Sequence, residues 1–311
     1  MQMNASMKKL RIGTRGSPLA LAQAHETRER LMGAHGYAAD QIEIVVITTT
    51  GDRVRDRPLA EIGGKGLFTK EIEEALFAGN IDLAVHSMKD IPALVPSGLA
   101  FAAVLPREDA RDAFLSFAAG SLQELPRAAK LGSSSVRRTA QALRLRPDLL
   151  PVQFRGNVDT RLRKLKEGVA AATFLAVAGL NRLKLTQHIT RIVPMDEMLP
   201  AVAQGAIGIE IRDDDHVTRG FVEAINHRES YIAVSSERAF LATLEGSCQT
   251  PLAAHAMLQG GGLNLRTEAL TLDGQEVFRH EIAGSVEDAV AMGHEAGERI
   301  KLSGGAKLLS P

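Results

Sequence analysis

Four polar side chains follow directly after a short apolar run near the end of the first third of the chain. The run is Ile81 to Val85, which is rich in strand formers, and the side chains are His86, Ser87, Lys89 and Asp90. Ligand sites in open α/β sheets lie outside the carboxyl ends of the strands. A carboxylate beside an ammonium at such a place could transfer protons or stabilise a cation. The alternative is a solvated turn with a weak ion pair, and this stretch taken alone favours that alternative.

Three further stretches combine arginine with residues that begin helices. They are Arg15–Ser17, Ser133–Arg138 and Arg155–Arg161, and each is predicted to join a strand to a helix through Gly, Ser or Asn. Free N–H groups, the helix dipole and a guanidinium at such a place favour a carboxylate or phosphate ligand. One such turn would more often be an ordinary helix cap with a solvated arginine. Three of them predict two facing domains with a cleft lined for a polyanion.

A long, charged, glycine-rich connection runs from Thr49 to Gly66 and ends in Gly63-Gly-Lys-Gly. It lacks the G-x-x-x-x-G-K-[ST] spacing of a phosphate loop, which argues against nucleotide hydrolysis. Backbone N–H groups and Lys65 at the start of the next helix still predict an anion site. Long loops in compact domains are usually functional or disordered, and we expect Arg53 to Glu61 to be a mobile lid.

The chain has one cysteine, Cys248, which lies within Glu245-Gly-Ser-Cys-Gln. It therefore forms no internal disulfide, and no spaced Cys/His set indicates structural zinc. A lone cysteine is most often a small buried hydrophobe, but this one is predicted to lie in a turn. There it could be a nucleophile or a covalent attachment point. No motif pairs it with any of the nine histidines, so permanent attachment of a group fits slightly better than turnover at sulfur.

Length and composition limit the classes to which the protein can belong. The 311 residues suit two or three domains. Lys+Arg and Asp+Glu both total 37, so the net charge is zero, and no bulk attraction to nucleic acid or membrane is expected. The first ten residues lack an apolar signal segment, and no run approaches the roughly 18 apolar residues of a membrane span. We expect a soluble, cytoplasmic protein.

Hydrophobic periodicity predicts the elements that carry these residues. Predicted strands cover 9–13, 42–48, 81–85, 99–105, 151–154, 171–176 and 206–211. Residues 107–112 and 194–208 are predicted crossings between two α/β domains. The helix after Ser135 is expected to point Val136, Ala140 and Leu143 inward. Near the end, a helix over Tyr231–Leu244 precedes strands near 254–258, 263–272 and 276–282, with a two-residue hairpin at Asp273-Gly274. Ser285 caps a last helix whose inward residues are Ala289, Met292, Ala296 and Ile300.

These elements predict an α/β fold with three domains. Two α/β domains would surround a cleft, the first over 1–105 plus 200–222 and the second over 106–199. A small α+β domain over 223–311, with a three-stranded antiparallel sheet, would carry Cys248 on a loop.

Seven motifs, in order along nearly the whole chain, resemble those of the porphobilinogen deaminase family. They are Thr14-Arg-Gly-Ser-Pro-Leu-Ala20, Gly63-Gly-Lys-Gly-Leu-Phe68, His86-Ser-Met-Lys-Asp90, Gly132 to Arg138, Phe154-Arg-Gly-Asn157 with Thr160-Arg-Leu162, Leu175-Ala-Val-Ala-Gly-Leu180 and Glu245-Gly-Ser-Cys-Gln249. A chance match to one motif is easy, but a match to all seven is not. The resemblance implies two domains like those of type II periplasmic binding proteins, plus the small cysteine-bearing domain.

The resemblance further implies a transferase of tetrapyrrole (haem) biosynthesis. Cys248 would carry one dipyrromethane through a thioether bond, as a primer that stays on the enzyme. Four porphobilinogens would condense head to tail, each losing ammonia, and hydrolysis would release hydroxymethylbilane. Asp90 would be the central catalytic group, which stabilises the positive azafulvene and pyrrole-nitrogen intermediates and assists proton transfers.

Each pyrrole bears acetate and propionate groups, so the growing chain is a polyanion, and the resemblance assigns residues to it. Cofactor-binding residues besides Cys248 would be Ser87, Lys89, Ser135, Arg137 and Arg138. Substrate-binding residues would be Arg15, Ser17, Lys65, Arg155, Arg161 and Arg182. No metal is expected. The family also implies a monomer that passes its product to uroporphyrinogen-III synthase.

Three residues depart from the family pattern: Glu61 and Asn181 stand where lysine is common, and Ser247 replaces a glycine. Glu61 weakens the case for anion binding by its loop, but none of the three is the acid or the attachment sulfur, so activity is expected.

Two alternatives come from other classes of protein. One is a clamshell ligand-binding protein that uses the same anion turns without chemistry, and the other is a thiol enzyme in which Cys248 is a transient nucleophile.

Overall fold

The computed structural model describes residues 9–53, 66–245 and 250–304. Its strands are β1 (Leu10–Thr14), β2 (Ile42–Val46), β3 (Leu83–Ser87), β4 (Leu99–Val104), β5 (Asp112–Ser116), β6 (Lys130–Gly132), β7 (Leu150–Val152), β8 (Ala172–Ala176), β9 (Arg191–Ile192), β10 (Ile207–Arg212), β11 (Leu252–Gln259), β12 (Gly262–Leu270) and β13 (Val277–Ser285). Its α-helices are α1 (Pro18–His35), α2 (Thr50–Arg53), α3 (Lys70–Phe77), α4 (Val136–Leu145), α5 (Val158–Lys166), α6 (Val177–Arg182), α7 (His216–Glu223), α8 (Arg228–Thr243) and α9 (Ala289–Gly304).

The chain divides into two compact units: Met1–Pro106 with Ile207–Tyr231, and Arg107–Ala206 with Ile232–Pro311. The first unit is built on a five-stranded mixed sheet of order β2-β1-β3-β10-β4. In it β1 is parallel to β2 and β3, whereas β10 is antiparallel to β3 and β4. Ala24 and Leu31 of α1 and Val222 of α7 pack with the strands into one apolar core. The central strand β3 is buried until its last residue, Ser87, so the sheet fixes the point from which the polar residues emerge.

The second unit repeats this pattern in the order β7-β6-β8-β5-β9. Here β6 is parallel to β7 and β8, while β5 is antiparallel to β8 and β9. Apolar clusters built around Phe114 and around Phe154 pack with these strands. Sequence reasoning missed β5, because its first residue, Asp112, ends a polar run that predicted only a crossing segment.

A third sheet, antiparallel with the order β11-β12-β13, belongs to the second unit. Helix α9 contributes the buried residues predicted for it, Ala289, Met292, Ala296 and Ile300. The prediction of a two-residue hairpin loop at Asp273-Gly274 is wrong, because the six residues 271–276 separate β12 from β13. Asp273 closes this wider loop, since its Oδ1 accepts hydrogen bonds from the Thr271 hydroxyl at 2.5 Å and the Gln275 N–H at 3.1 Å.

The predicted fold class is therefore confirmed: two α/β units share one strand order, and a three-stranded antiparallel sheet accompanies them. The boundaries of three separate domains stay a prediction. Within the described residues, no helix is both long and apolar enough to cross a bilayer.

Candidate active site

All three arginine-bearing turns connect a strand to a helix, as predicted. Ser17 caps α1 by accepting a hydrogen bond from the Ala20 N–H at 3.2 Å. The Asn157 side chain caps α5 by accepting a hydrogen bond from the Thr160 N–H at 2.9 Å. The Ser135 hydroxyl caps α4 by accepting a longer hydrogen bond, 3.4 Å, from the Arg138 N–H. Local sequence suffices for this result, because Ser and Asn satisfy the free N–H groups of a first helical turn.

Asp90 lies at the carboxyl end of β3, where a short 3-10 helix, Met88–Asp90, follows the strand directly. Its carboxylate is exposed, and among the described residues it makes no hydrogen bond or ion pair. It lines a pocket of the first unit together with Arg15, Ser17, His86 and Ser87. Asp90 and the turn that carries Arg15 therefore line one pocket within this unit.

Arg15 is held in this pocket by two contacts. Its Nη2 lies 2.5 Å and its Nε 3.2 Å from the Asp52 carboxylate, and its guanidinium stacks 4.1 Å from the centre of the Phe68 ring. Burial favours the protonated form of Asp52, but hydrogen bonds from Arg15 and Thr49 outweigh it and hold the pKa of this carboxyl below its usual range. Arg15 is thus oriented before any ligand arrives.

Gln23 is a pocket residue that sequence reasoning missed. It lies on the buried face of α1, and its Nε2 is 2.8 Å from the Ser87 Oγ. A lone amide on a buried helix face must find a hydrogen-bond partner, and this was the available sequence signal. Gln23 therefore fixes the hydroxyl of Ser87 at the end of β3.

A buried histidine–glutamate pair was also missed. His86 Nε2 lies 3.1 Å from Glu210 Oε2 on the neighbouring strand β10, with both side chains almost fully buried. The signal was a single carboxylate inside the otherwise apolar run Ile207–Ile211, because a buried carboxylate requires a partner.

In the second unit, Arg137 and Arg138 are buried around Asp112. The Asp112 carboxylate accepts from Arg137 Nη2 at 2.8 Å, from Arg138 Nη2 at 2.6 Å and from Gln204 Nε2 at 3.0 Å. Burial alone would raise the pKa of Asp112, but the two guanidiniums and the Gln204 amide lower it far below the usual range. Because the arginines face inward, Val136 and Leu143 are only half-buried, whereas Ala140 lies in the core as predicted.

The remaining predicted binding residues of the second unit lie at the ends of its strands and helices. Arg161 Nε donates to the Gly156 carbonyl at 2.9 Å, and Arg182 Nη1 donates to the Gly205 carbonyl at 3.1 Å. The Arg155 carbonyl accepts from Lys164 Nζ at 3.0 Å. All three arginines are half-buried, and the side chains of Arg161 and Arg182 combine a fixed backbone contact with some accessible surface.

The predicted site residues thus fall into two groups. The first unit contains Arg15, Ser17, Ser87, Lys89 and Asp90; the second contains Ser135, Arg137, Arg138, Arg155, Arg161 and Arg182. Lys65, Cys248 and most of the predicted lid over 53–61 lie outside the described residues. The functional roles of all these residues stay predictions.

Two α/β units of one strand order, each with arginine at the start of a helix, define the fold class as a two-unit α/β protein. Family models identify the chain further. The model of the porphobilinogen deaminase dipyromethane cofactor binding domain matches residues 10–220, and that of the porphobilinogen deaminase C-terminal domain matches residues 231–302. The chain belongs to the porphobilinogen deaminase family.

Relatives named porphobilinogen deaminase match over nearly the full chain. The protein of Paracoccus denitrificans is 59% identical over 300 residues, which cover 96% of each chain. The chloroplastic protein of Oryza sativa is 50% identical over 309 residues, covering 98% of this chain and 86% of that one. Among solved structures, the methionine-binding protein MetQ aligns over 74% of this chain and 95% of its own, with 13% identity and a TM-score of 0.44.

Proposed function

We propose that this chain joins four porphobilinogens head to tail, with loss of ammonia, on a dipyrromethane primer attached to Cys248, and releases hydroxymethylbilane. The observation that carries the proposal is the exposed Asp90 at the carboxyl end of β3, beside Arg15, in a chain that matches both family domains. The loss of ammonia leaves positive charge on the substrate, and a fixed carboxylate stabilises a cation that develops in the transition state.

The residues present fit a dipyrromethane, which carries several carboxylates. Arg137 and Arg138 supply two fixed guanidiniums at the start of α4, and Arg137 Nε is a buried donor without a hydrogen-bond partner among the described residues. Guanidiniums and a helix N-terminus are the donors that carboxylates bind best. When bound, the dipyrromethane supplies the pyrrole carbon to which the first substrate is joined.

The other residues in this proposal bind and orient the substrate and the growing pyrrole chain. Arg15, Arg155, Arg161 and Arg182 hold carboxylate side chains of the substrate rings, with a hydrogen bond from Ser17, while Lys89 and Ser87 join Ser135, Arg137 and Arg138 in holding the cofactor. Asp90 faces the nitrogen and the cationic carbon of the reacting ring and assists proton transfer there. Holding both partners in reach converts a bimolecular condensation into a step within one complex.

An intact mass of the purified protein tests the proposal. We expect a mass above the sequence value by one dipyrromethane, which is lost in Cys248→Ser together with condensing activity. An unmodified protein that is fully active contradicts covalent attachment. A protein that binds porphobilinogen without forming hydroxymethylbilane supports a ligand-binding protein instead.

We further propose that the protein works as a cytoplasmic monomer and passes hydroxymethylbilane to uroporphyrinogen-III synthase. The zero net charge of the chain supports a protein with no bulk attraction to membranes. Cell fractionation, size-exclusion chromatography with light scattering, and a coupled assay with the second enzyme test the three parts separately.

A further inference from the structure

The buried pair of His86 and Glu210 borders the pocket that contains Asp90. His86 is the fourth residue of β3 and is one of the residues that line that pocket. Glu210 lies on β10, which pairs antiparallel with β3. Their side chains are 4% and 2% exposed, and 3.1 Å separates His86 Nε2 from Glu210 Oε2. Apolar residues in place of a buried polar pair often give equal or greater stability, so packing alone does not account for it.

Glu210 determines which ring nitrogen of His86 is available. A carboxylate that accepts from Nε2–H fixes the tautomer in which Nδ1 carries a lone pair. Among the described residues Nδ1 has no hydrogen-bond partner. The Phe101 ring packs edge-on against the imidazole, with 6.2 Å between the ring centroids, and restricts its rotation. Nδ1 is therefore an oriented proton acceptor on a residue that lines the pocket.

The charged groups around His86 come from several elements. Glu210 faces it from β10, and Glu73 lies nearby on α3, where burial raises the pKa of Glu73, Glu210 adds to that effect and His86 opposes it. Asp90 and Lys89 follow His86 along the chain, and Arg15 reaches the same pocket from the end of β1. The imidazole thus has the buried Glu210 and the half-buried Glu73 as neighbours, and His86 also lines the pocket that contains Asp90.

The proposed reaction needs two groups at this place. Asp90 stabilises a cation only while it is ionised. A carboxylate that has taken up the proton released at the end of one addition is neutral, and it stabilises the next cation poorly until it loses that proton. A separate proton acceptor removes this conflict.

We propose that His86 is a further catalytic residue, which accepts the proton lost from a substrate-derived terminal pyrrole after a carbon–carbon bond forms at its α-carbon. In this step the C–H bond at the α-carbon breaks, its electron pair restores the aromatic ring, and the proton moves to His86 Nδ1. The Glu210 carboxylate stabilises the imidazolium, and the proton then passes to solvent. Glu210 is a positioning residue. This inference rests on the proposed function.

Glu210→Gln in the cofactor-loaded protein tests the inference, because glutamine keeps the size and an acceptor oxygen but removes the charge. We expect kcat to fall by about 10- to 100-fold, the effect seen when carboxylates that orient metal-binding histidines are replaced, with KM within about twofold of the original. Porphobilinogen deuterated at its free α-carbon adds a readout that a purely structural role would not change. Its isotope effect on kcat should rise, because proton removal becomes slower. Glu29→Gln, at an exposed position of α1, is the matched control and should change neither kcat nor its isotope effect.

A second measurement uses the unaltered protein. The ¹⁵N chemical shifts of His86 should show a protonated Nε2 and an unprotonated Nδ1. A protonated Nδ1, or a slow Glu210→Gln variant with no increase in isotope effect, overturns the inference. If the unaltered protein forms no hydroxymethylbilane at all, it is the proposed function that fails; normal condensation with an unchanged Glu210→Gln variant rejects only the role of His86.

Discussion

The carboxylate of Asp112 lies between the guanidiniums of Arg137 and Arg138, 2.8 and 2.6 Å from their nearest nitrogens. None of the three side chains is more than 8% exposed. The arginines that begin α4 are therefore held by the protein itself, and Asp112 orders both of them. Any anion bound by these arginines meets donors that are already in place, which reduces the entropy cost of binding.

Asp112→Asn should lower the free energy of unfolding by about 3–5 kcal/mol, because it leaves two buried guanidiniums without their counter-charge. Urea unfolding at pH 7 measures this value. Asp148→Asn is the control, since Asp148 also pairs with an arginine but near the surface, and its loss should be clearly smaller. Equal losses in the two variants would contradict the role given to burial.

The same carboxylate predicts how stability depends on pH. The pKa of Asp112 is lowered in the folded protein, so its contribution is fully present above the unfolded pKa, about 3.9. That contribution is lost as the pH falls from there through the folded pKa. Unfolding free energies measured between pH 6 and pH 3 should therefore fall more steeply below about pH 4 in the natural protein than in Asp112→Asn. Parallel curves would show that Asp112 does not titrate in this way.

Asp90→Asn should reduce kcat by about 100- to 1000-fold, the usual effect of removing one group that stabilises transition-state charge. The melting temperature should not change, because Asp90 is exposed and makes no hydrogen bond or ion pair with the rest of the described chain. Steady-state kinetics and calorimetry measure the two effects. Asp40→Asn, at another exposed aspartate in a short helix, should leave both unchanged. Turnover like that of the natural protein in Asp90→Asn would rule out the central assignment.

Arg15→Lys should raise KM for porphobilinogen by about tenfold, since lysine keeps the charge but loses the paired contact with Asp52 and the stacking on Phe68. The exposed Arg30 pairs with Glu26, so Arg30→Lys provides the control. An unchanged KM would show that Arg15 serves only to hold Asp52.

Gly274→Ala should destabilise the protein by more than Gly260→Ala. Both glycines have positive φ, 71° and 59°, so each alanine carries a backbone cost of about 1 kcal/mol or more. At Gly274 the new Cβ would also clash with the Ala140 carbonyl oxygen, whereas at Gly260 it would meet no atom of the described chain. Thermal unfolding of the two variants compares them, and equal shifts would mean that the loop at 271–276 moves away from α4 at little cost.

Local sequence determined the elements and their junctions. Alternating and helical apolar patterns predicted most strands to within a few residues, and Ser17, Ser135 and Asn157 marked helix starts correctly because capping depends on neighbours within one turn. The hydrophobic pattern also placed Asp90 at the end of a buried strand. Motif order along the chain was enough to indicate the family.

Only the tertiary structure decided how polar side chains pair across the sheets. Asp112 and the arginines of α4 are about 25 positions apart in the chain, and His86 and Glu210 are separated by 124, so no local pattern links them. Sequence reasoning pointed Arg137 and Arg138 towards a ligand, whereas folding also brings Asp112 against them and Gln204 against Asp112. The reason is physical: a buried charge needs a partner from whatever strand the fold places beside it, and strand order is a property of the whole chain.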